Sequence, residues 1–190
     1  MNFSLILNNI KKNFNYFIDK IEEEKIRSLV NLIHTYKDKN IYFAGVGKSG
    51  NIAIHLADLL KSVGLNSFTL NIMNLTHGDL GCVKDDSLFI LLSKSGNTKE
   101  ILDIVDLIKC KKILICSNEK AKIKSKVDNT YIVPMIDECD LSFDLIPSNS
   151  ISNTIIYFNI VMNLYIDRSM LSLEEYKGNH PAGDIGFKTK

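Results

Sequence analysis

The stretch Ser93-Lys94-Ser95-Gly96-Asn97-Thr98 follows the apolar run Ser87-Leu88-Phe89-Ile90-Leu91-Leu92 and leads into an amphipathic segment from Lys99. A strand, a hydroxyl-rich turn and a helix start in that order gather side-chain hydroxyls and unpaired backbone N–H groups at the positive end of a helix dipole. That is the chemistry that holds a phosphate or another anion. Ser93, Ser95 and Thr98 supply the hydroxyls. The same residue types favour turns and N-caps, so the stretch by itself leaves an anion nest and a plain helix cap both open.

A second turn lies upstream. Ile41-Tyr42-Phe43-Ala44 runs into Gly45-Val46-Gly47-Lys48-Ser49-Gly50, which formally satisfies G-x-G-x-x-G. A dinucleotide site also needs an acidic residue at the end of the next strand to bind the ribose, and that strand leaves through Leu70 and Asn71 without one. A P-loop does not fit either, because Tyr42 stands where its opening glycine belongs. What remains is Gly47 followed by a lysine, Lys48, and a hydroxyl, Ser49. A lysine at a helix start opposes the helix dipole, which favours a functional charge over a solvated one.

The chain has four histidines. Two sit in constrained turns, Thr76-His77-Gly78-Asp79-Leu80-Gly81 and Asn179-His180-Pro181-Ala182-Gly183-Asp184. Glu100, just inside the helix after the Ser93 turn, and Glu138, in the loop after the fifth strand, add two carboxylates. Taken alone, Glu100 reads as a complement to the helix dipole and Glu138 as a solvated loop acid. Imidazole and carboxylate are groups that move protons near neutral pH, and a lysine neutralises a developing oxyanion.

The elements that must position these residues alternate. The glycine turn leads into a helix carrying Ile52, Leu56, Leu59, Leu60 and Val63, which Gly64 closes; Ser67-Phe68-Thr69-Leu70 is a second strand. Leu88 to Leu92 is a third, followed by a helix with Ile101, Leu102, Ile104, Val105 and Ile108. Lys112 to Cys116 and Thr130 to Val133 supply a fourth and a fifth. Repeated βα units of this length imply an α/β fold with a parallel sheet covered by helices on both faces, and a ligand crevice at the strands' carboxyl ends. Phe3, Leu7, Ile10, Phe14, Phe17 and Ile21 predict an N-terminal amphipathic helix that packs on the body or on a partner. Ile155 to Ile166 is apolar nearly all round but carries Asn159 and Asn163 and is short for a bilayer, so it reads as a helix of the core or of a subunit interface.

Composition narrows the partners. The 190 residues fit one domain, 1–190, and 23 Lys plus Arg against 22 Asp plus Glu leave a net charge of +1, with no basic face for nucleic acid or an anionic membrane. Cys82, Cys110, Cys116 and Cys139 show no CxxC spacing and no secretory signal precedes them. A reduced cytoplasmic setting is therefore expected, with neither a disulfide framework nor a metal site.

Gly45 to Gly50, His77 to Gly81, Ser93 through Glu100, Pro147-Ser148-Asn149-Ser150 through Asn153-Thr154, and His180-Pro181-Ala182-Gly183 together resemble, in order, the sugar-isomerase (SIS) domain of arabinose-5-phosphate isomerases. The resemblance covers nearly the whole chain. The first and third motifs belong to phosphosugar SIS domains generally, and the His77 and His180 motifs single out the arabinose-5-phosphate branch. It implies a five-stranded parallel sheet in a flavodoxin/Rossmann-like αβα sandwich. It also implies interconversion of D-ribulose 5-phosphate and D-arabinose 5-phosphate without a cofactor, feeding Kdo synthesis for lipopolysaccharide or capsule, by a homotetramer in which His180 reaches a neighbouring subunit's site.

Carried over residue by residue, Ser93, Ser95 and Thr98 look like the phosphate cradle, with Gly47 and Ser49 beside it. Lys48, His77, Glu100, Glu138 and His180 match polar active-site positions. Aldose–ketose isomerisation removes a proton next to a carbonyl, passes through an enediol and returns the proton to the neighbouring carbon. In that scheme His180 or Glu138 handles the proton, His77 and Lys48 polarise or protonate the oxygens, and Glu100 orients them. The chain ends at Lys190 without the CBS pair of well-known members, which points to a single-domain form without that regulation, and Pro147-Ser148-Asn149-Ser150 replaces the commoner Pro-Thr-Ser-Ser. A 6-phospho-3-hexuloisomerase, a non-catalytic phosphosugar sensor and a zinc-dependent phosphoheptose-type isomerase are the alternatives.

Overall fold

The computed structural model describes residues 2–138, 143 and 145–187; Cys139 lies outside them. Its sheet comprises β1 (Ile41–Gly45), β2 (Ser67–Thr69), β3 (Leu88–Leu92), β4 (Lys111–Cys116) and β5 (Asn129–Ile132). All pairings are parallel and the order is β2-β1-β3-β4-β5. β3 is central and wholly buried, which its uninterrupted Leu-Phe-Ile-Leu-Leu requires, because both of its faces meet a core. Leu88, Ile90 and Leu92 point into one hydrophobic cluster, and Phe89 and Leu91 into the other. β1 divides in the same way, Ile41 and Phe43 against Tyr42 and Ala44.

The two faces are covered unequally. One carries α2 (Glu23–Thr35), α3 (Lys48–Ser62) and α5 (Asn149–Ser169), with Phe17 of α1 (Phe3–Lys20) sealing its edge. The other is roofed by α4 (Lys99–Ile104) and short 3-10 segments at Ile72–His77, Asp79–Cys82, Val105–Leu107 and Lys122–Lys126. α2 is an element not anticipated from the sequence, although Ile26, Leu29, Val30 and Ile33 give it an apolar stripe at i, i+3, i+4 and i+7. The helix expected to run to Ile108 instead ends at Ile104 and tightens into a 3-10 turn. The tighter winding turns Val105 and Ile108 into the core just before β4 begins at Lys111. Gly64 closes α3 as expected, at φ +87, with its N–H on Lys61 O at 2.9 Å and the Leu65 N–H on Leu60 O at 3.2 Å.

The sheet order places the site. From β1 the chain winds outward to β2, and from β3 it winds the other way to β4 and β5, so the carboxyl ends of β1 and β3 form the topological switch point. Gly45 pairs with Leu92, which sets the turns after β1 and β3 side by side at that edge. The C-terminal segment adds α6 (Leu173–Gly178), started by a Ser172–Glu175 capping box, and α7 (Gly183–Phe187).

Candidate active site

The turn from β1 into α3 is shaped by its glycines. A Cβ on Gly45 would lie 2.8 Å from the backbone carbon of Ser49, and one on Gly50 would lie 2.9 Å from Gly45 O. Helix and strand therefore meet backbone to backbone, closer than any side chain permits. Gly47, at φ +59, then directs the chain into α3, whose first residues are Lys48 and Ser49. Lys48 is exposed.

The turn from β3 into α4 is built differently. Ser93 is buried, and its Oγ accepts the Gly96 N–H at 3.1 Å and shares a hydrogen bond of 2.8 Å with Thr98 Oγ1. The turn is stapled to the segment after β4. Lys94 O accepts the Ser117 N–H at 2.9 Å, Ser95 O accepts Asn118 Nδ2 at 2.8 Å, Gly96 O accepts the Ile123 N–H at 3.0 Å, and Asn97 Oδ1 accepts the Lys122 N–H at 2.9 Å. At Gly96, φ is +62 and an added Cβ would fall 2.2 Å from the Ala121 Cβ, so only glycine lets the two segments approach. Ser95 is exposed and its Oγ accepts the Asn97 N–H at 3.2 Å, a bond that fixes the turn and does not use the O–H donor.

Between the two turns lies a cleft of about 190 Å³, lined among others by Lys48, Ser49, Ser93, Lys94, Ser150 and Thr154. Its far wall is the start of α5. That helix has no side-chain cap from Ser148. Its cap comes instead from Glu138, whose Oε2 accepts the Ser148 N–H at 2.9 Å and the Ser150 N–H at 3.1 Å while Oε1 lies 2.8 Å from Lys94 Nζ. The Glu138 side chain is wholly buried. Burial pushes its carboxyl up, but the Lys94 ammonium and the Ser148 and Ser150 donors outweigh it and hold the group below the ordinary carboxyl value. The solvated loop acid is thus an internal clamp. Cys116 also lines the cleft, and burial raises its thiol, which makes it a packing residue.

The fold thus brings Gly47, Lys48, Ser49, Ser93, Thr98 and Glu138 to one edge of the sheet. Of these, Lys48, Ser49 and Ser93 line the cleft itself, and the remaining assigned residues lie outside its wall. Glu100 is exposed in the first turn of α4, and His77 is exposed at the end of the 3-10 turn that follows β2. His180 lies at the opposite end of α3. Its neighbour Asn179 donates to Ser62 O at 3.2 Å, and its own ring contacts Tyr176, with centroids 4.4 Å apart and Nδ1 2.9 Å from Tyr176 O. The length of α3, 15 residues, separates Ser62 from Lys48 by about 21 Å at 1.5 Å per residue. Lys94, Ser117, Ser150 and Thr154 line the cleft without having been assigned from the sequence. Ser117 directly follows the carboxyl end of β4, where a doubly wound sheet places ligand contacts, and Ser150 and Thr154 fall inside the motif that starts at Pro147. Among the described residues no group of His, Cys, Asp and Glu is arranged to hold a metal ion, and no helix is long and apolar enough to cross a membrane.

Known proteins are similar to this chain in sequence and fold. An uncharacterized protein of Chlamydia pneumoniae is 35% identical over 151 residues, spanning 78% of this chain and 46% of that one. The arabinose 5-phosphate isomerase KpsF of Escherichia coli is 27% identical over 170 residues, 88% of this chain and 51% of that one. The chain thus spans about half the length of the curated relatives it matches. A solved structure, E. coli CFT073 c3406 in complex with arabinose 5-phosphate, superposes with a TM-score of 0.85 at 26% identity, covering 95% of this chain and all of that one. Residues 34–159, which hold both turns, the sheet and the start of α5, match the SIS domain, and the chain belongs to the SIS domain family.

Proposed function

We propose that this chain is an aldose–ketose isomerase that interconverts D-ribulose 5-phosphate and D-arabinose 5-phosphate through an enediol. The observation that carries the reading is the convergence, at one switch-point cleft, of a pre-organised hydroxyl turn and a lysine that no described side chain restrains. The Ser93–Thr98 turn takes the phosphate. That places the other end of a five-carbon substrate toward Lys48 and the first two turns of α5, where Ser150 and Thr154 meet the sugar hydroxyls. Ribulose 5-phosphate is open-chain because its C5 oxygen carries the phosphate, so the C2 carbonyl is already exposed; a base removes a C1 proton, Lys48 neutralises the enediolate oxygen, and the proton returns to C2 as the O1 hydroxyl proton passes to O2. The relatives named as arabinose 5-phosphate isomerases and the neighbour bound to arabinose 5-phosphate support this substrate class.

The base in this reading is His180 of the partner subunit. It is supported by the position of His180 about one helix length from its own cleft, and by a surface suited to a second copy. Phe3, Leu7, Ile10 and Phe14 leave an apolar stripe of α1 exposed. An apolar groove of about 620 Å³ between α2 and α5 is lined by Ile26, Ile156, Ile160 and Leu164. A homotetramer accounts for both features.

Purified protein offered ribulose 5-phosphate and a panel of pentose and hexose phosphates tests the reading. Turnover confined to the ribulose–arabinose pair supports it, turnover of a hexulose phosphate redirects it to a hexuloisomerase, and binding without turnover makes the chain a sensor. EDTA in the same assay is expected to leave the rate unchanged, whereas loss of rate would bring back the zinc-dependent alternative.

A further inference from the structure

Lys94 stands between the cradle hydroxyl Ser93 and the turn hydroxyl Ser95, lines the cleft with Lys48, and also lines a second, shallower pocket shared with Ser117 and Glu138. Its ammonium is 2.8 Å from Glu138 Oε1 and its side chain remains partly open to solvent. Glu138 has no such freedom. One oxygen is saturated by the Ser148 and Ser150 amides, with Ser148 Oγ a further 3.4 Å away, and the other faces Lys94. A general base must offer a lone pair within hydrogen-bond reach of the proton it takes. Glu138 is absent from the lining of the main cleft, and releasing Oε2 would uncap α5.

The pair instead joins the walls. Glu138 binds the first turn of α5, which carries Ser150 and leads to Thr154 one turn on, and through Lys94 it binds the turn that carries Ser93 and Thr98. Its own loop is fixed independently. Asn149 Nδ2 donates to Asp137 O at 2.7 Å, Ile136 N donates to Asn13 Oδ1 at 3.1 Å, and Asn153 Nδ2 donates to Pro134 O at 2.9 Å. A carboxylate buried at such a junction is held in its charged form by its amide donors and a neighbouring cation, and that cation, Lys94, also lines the cleft.

We propose that Glu138 and Lys94 form a positioning pair, in which buried Glu138 fastens α5 to the cradle and aims Lys94 as a second cation at the phosphate ester of the substrate, and in which Glu138 moves no proton. This rests on the isomerase reading for its substrate and departs from it on the role of Glu138. The pair does two things at once: it adds a charge-assisted contact to the hydroxyls and backbone N–H groups of the cradle, and it holds that charge in place before substrate arrives.

The test uses the full chain as wild type, Lys94→Met, Lys94→Arg, Glu138→Gln and the Met/Gln double variant. Binding of inorganic phosphate, the melting temperature, and kcat and KM for ribulose 5-phosphate across pH are measured. Lys94→Met is expected to weaken phosphate and raise KM about tenfold with kcat within roughly threefold, and Lys94→Arg to restore most of both. Glu138→Gln is expected to keep the acid limb of the kcat profile, and the double variant to melt nearer to wild type than Lys94→Met alone, because an unpaired buried carboxylate costs more than no charge at all. Folded Glu138→Gln protein that loses kcat about a thousandfold together with the acid limb would make Glu138 the base and overturn the proposal. Unchanged phosphate binding in Lys94→Met would overturn it equally. If wild type turns over no sugar phosphate, the isomerase reading fails on its own, and phosphate binding with the melting cycle still decides the pair.

Discussion

The two turns at the switch point have the same sequence flavour and opposite construction. After β1, position is enforced by backbone contact alone: Gly45 and Gly50 let strand and helix touch, and no described side chain holds Lys48. After β3, every segment of the turn is tied to the loop beyond β4, and its buried hydroxyl is bonded before any ligand arrives. One turn presents a charge that can follow a substrate through a reaction, and the other presents a receptor that cannot move. An isomerase needs both, because the phosphate stays fixed while charge migrates along the sugar.

The largest effect that would sharpen this contrast is functional and leaves the fold alone. Lys48 is exposed at a helix start, so Lys48→Met removes a charge that opposes the helix dipole and leaves the melting temperature within a degree or so of wild type. Its kcat/KM for ribulose 5-phosphate is expected to fall about 10²–10³-fold, the range for losing one oxyanion partner. Steady-state kinetics beside a thermal melt checks both halves, and a folded variant with near-normal kcat/KM would remove Lys48 from the chemistry. Lys48→Met also allows a test of subunit exchange. Co-assembled with His180→Asn, it is expected to restore part of the activity that each variant lacks alone, because some sites then combine an intact Lys48 with an intact partner His180. No recovery in mixed oligomers would return His180 to its own chain.

Next in size is the rigid turn. Gly96→Ala drives a methyl into Ala121 at a backbone conformation that L-residues avoid, and about 3 kcal/mol of destabilisation is expected from overpacking and φ strain together. Urea unfolding measures it. A loss under about 1 kcal/mol would show that the segment after β4 yields and that the cradle is softer than its hydrogen bonds suggest.

Much of this was legible in the sequence, for reasons that differ by element. The five strands and α3 were readable because each is short, apolar and followed by its own turn chemistry; Gly64 marked its helix end through a positive φ that few residues adopt. The Ser93 turn was readable as an anion nest or a cap, and its hydrogen bonds have elements of both. Glu138 was legible as a site residue only through the family resemblance. Its clamp was not, because its environment is assembled in space from Lys94, Ser148 and Ser150, and nothing in its immediate sequence distinguishes it from a solvated acid. Ser95 was legible as a turn residue from local sequence alone, since its Oγ accepts an N–H only two residues away. α2 carried a plain apolar stripe between α1 and β1 and was passed over only because no chemistry marked it.

The smallest effect concerns the stability of the clamp in acid. Burial raises the Glu138 carboxyl, and the Lys94 ammonium with the Ser148 and Ser150 donors more than reverses that, so its folded pKa lies below its unfolded one. A group depressed in this sense contributes stability that is complete above the unfolded value, about 4.3 for a glutamate, and that is lost as pH falls through the folded value. The urea midpoint should therefore decline on acidification below that range, and Glu138→Gln should flatten the decline while leaving the shape of the curve above about pH 6 unchanged. The rigid turn and the start of α5 share this one carboxylate, so phosphate binding should weaken over the same interval as the midpoint. A midpoint that falls while phosphate affinity holds would separate the clamp from the cradle, and the contrast between a fixed receptor and a mobile charge would then rest on the Gly96 contacts alone.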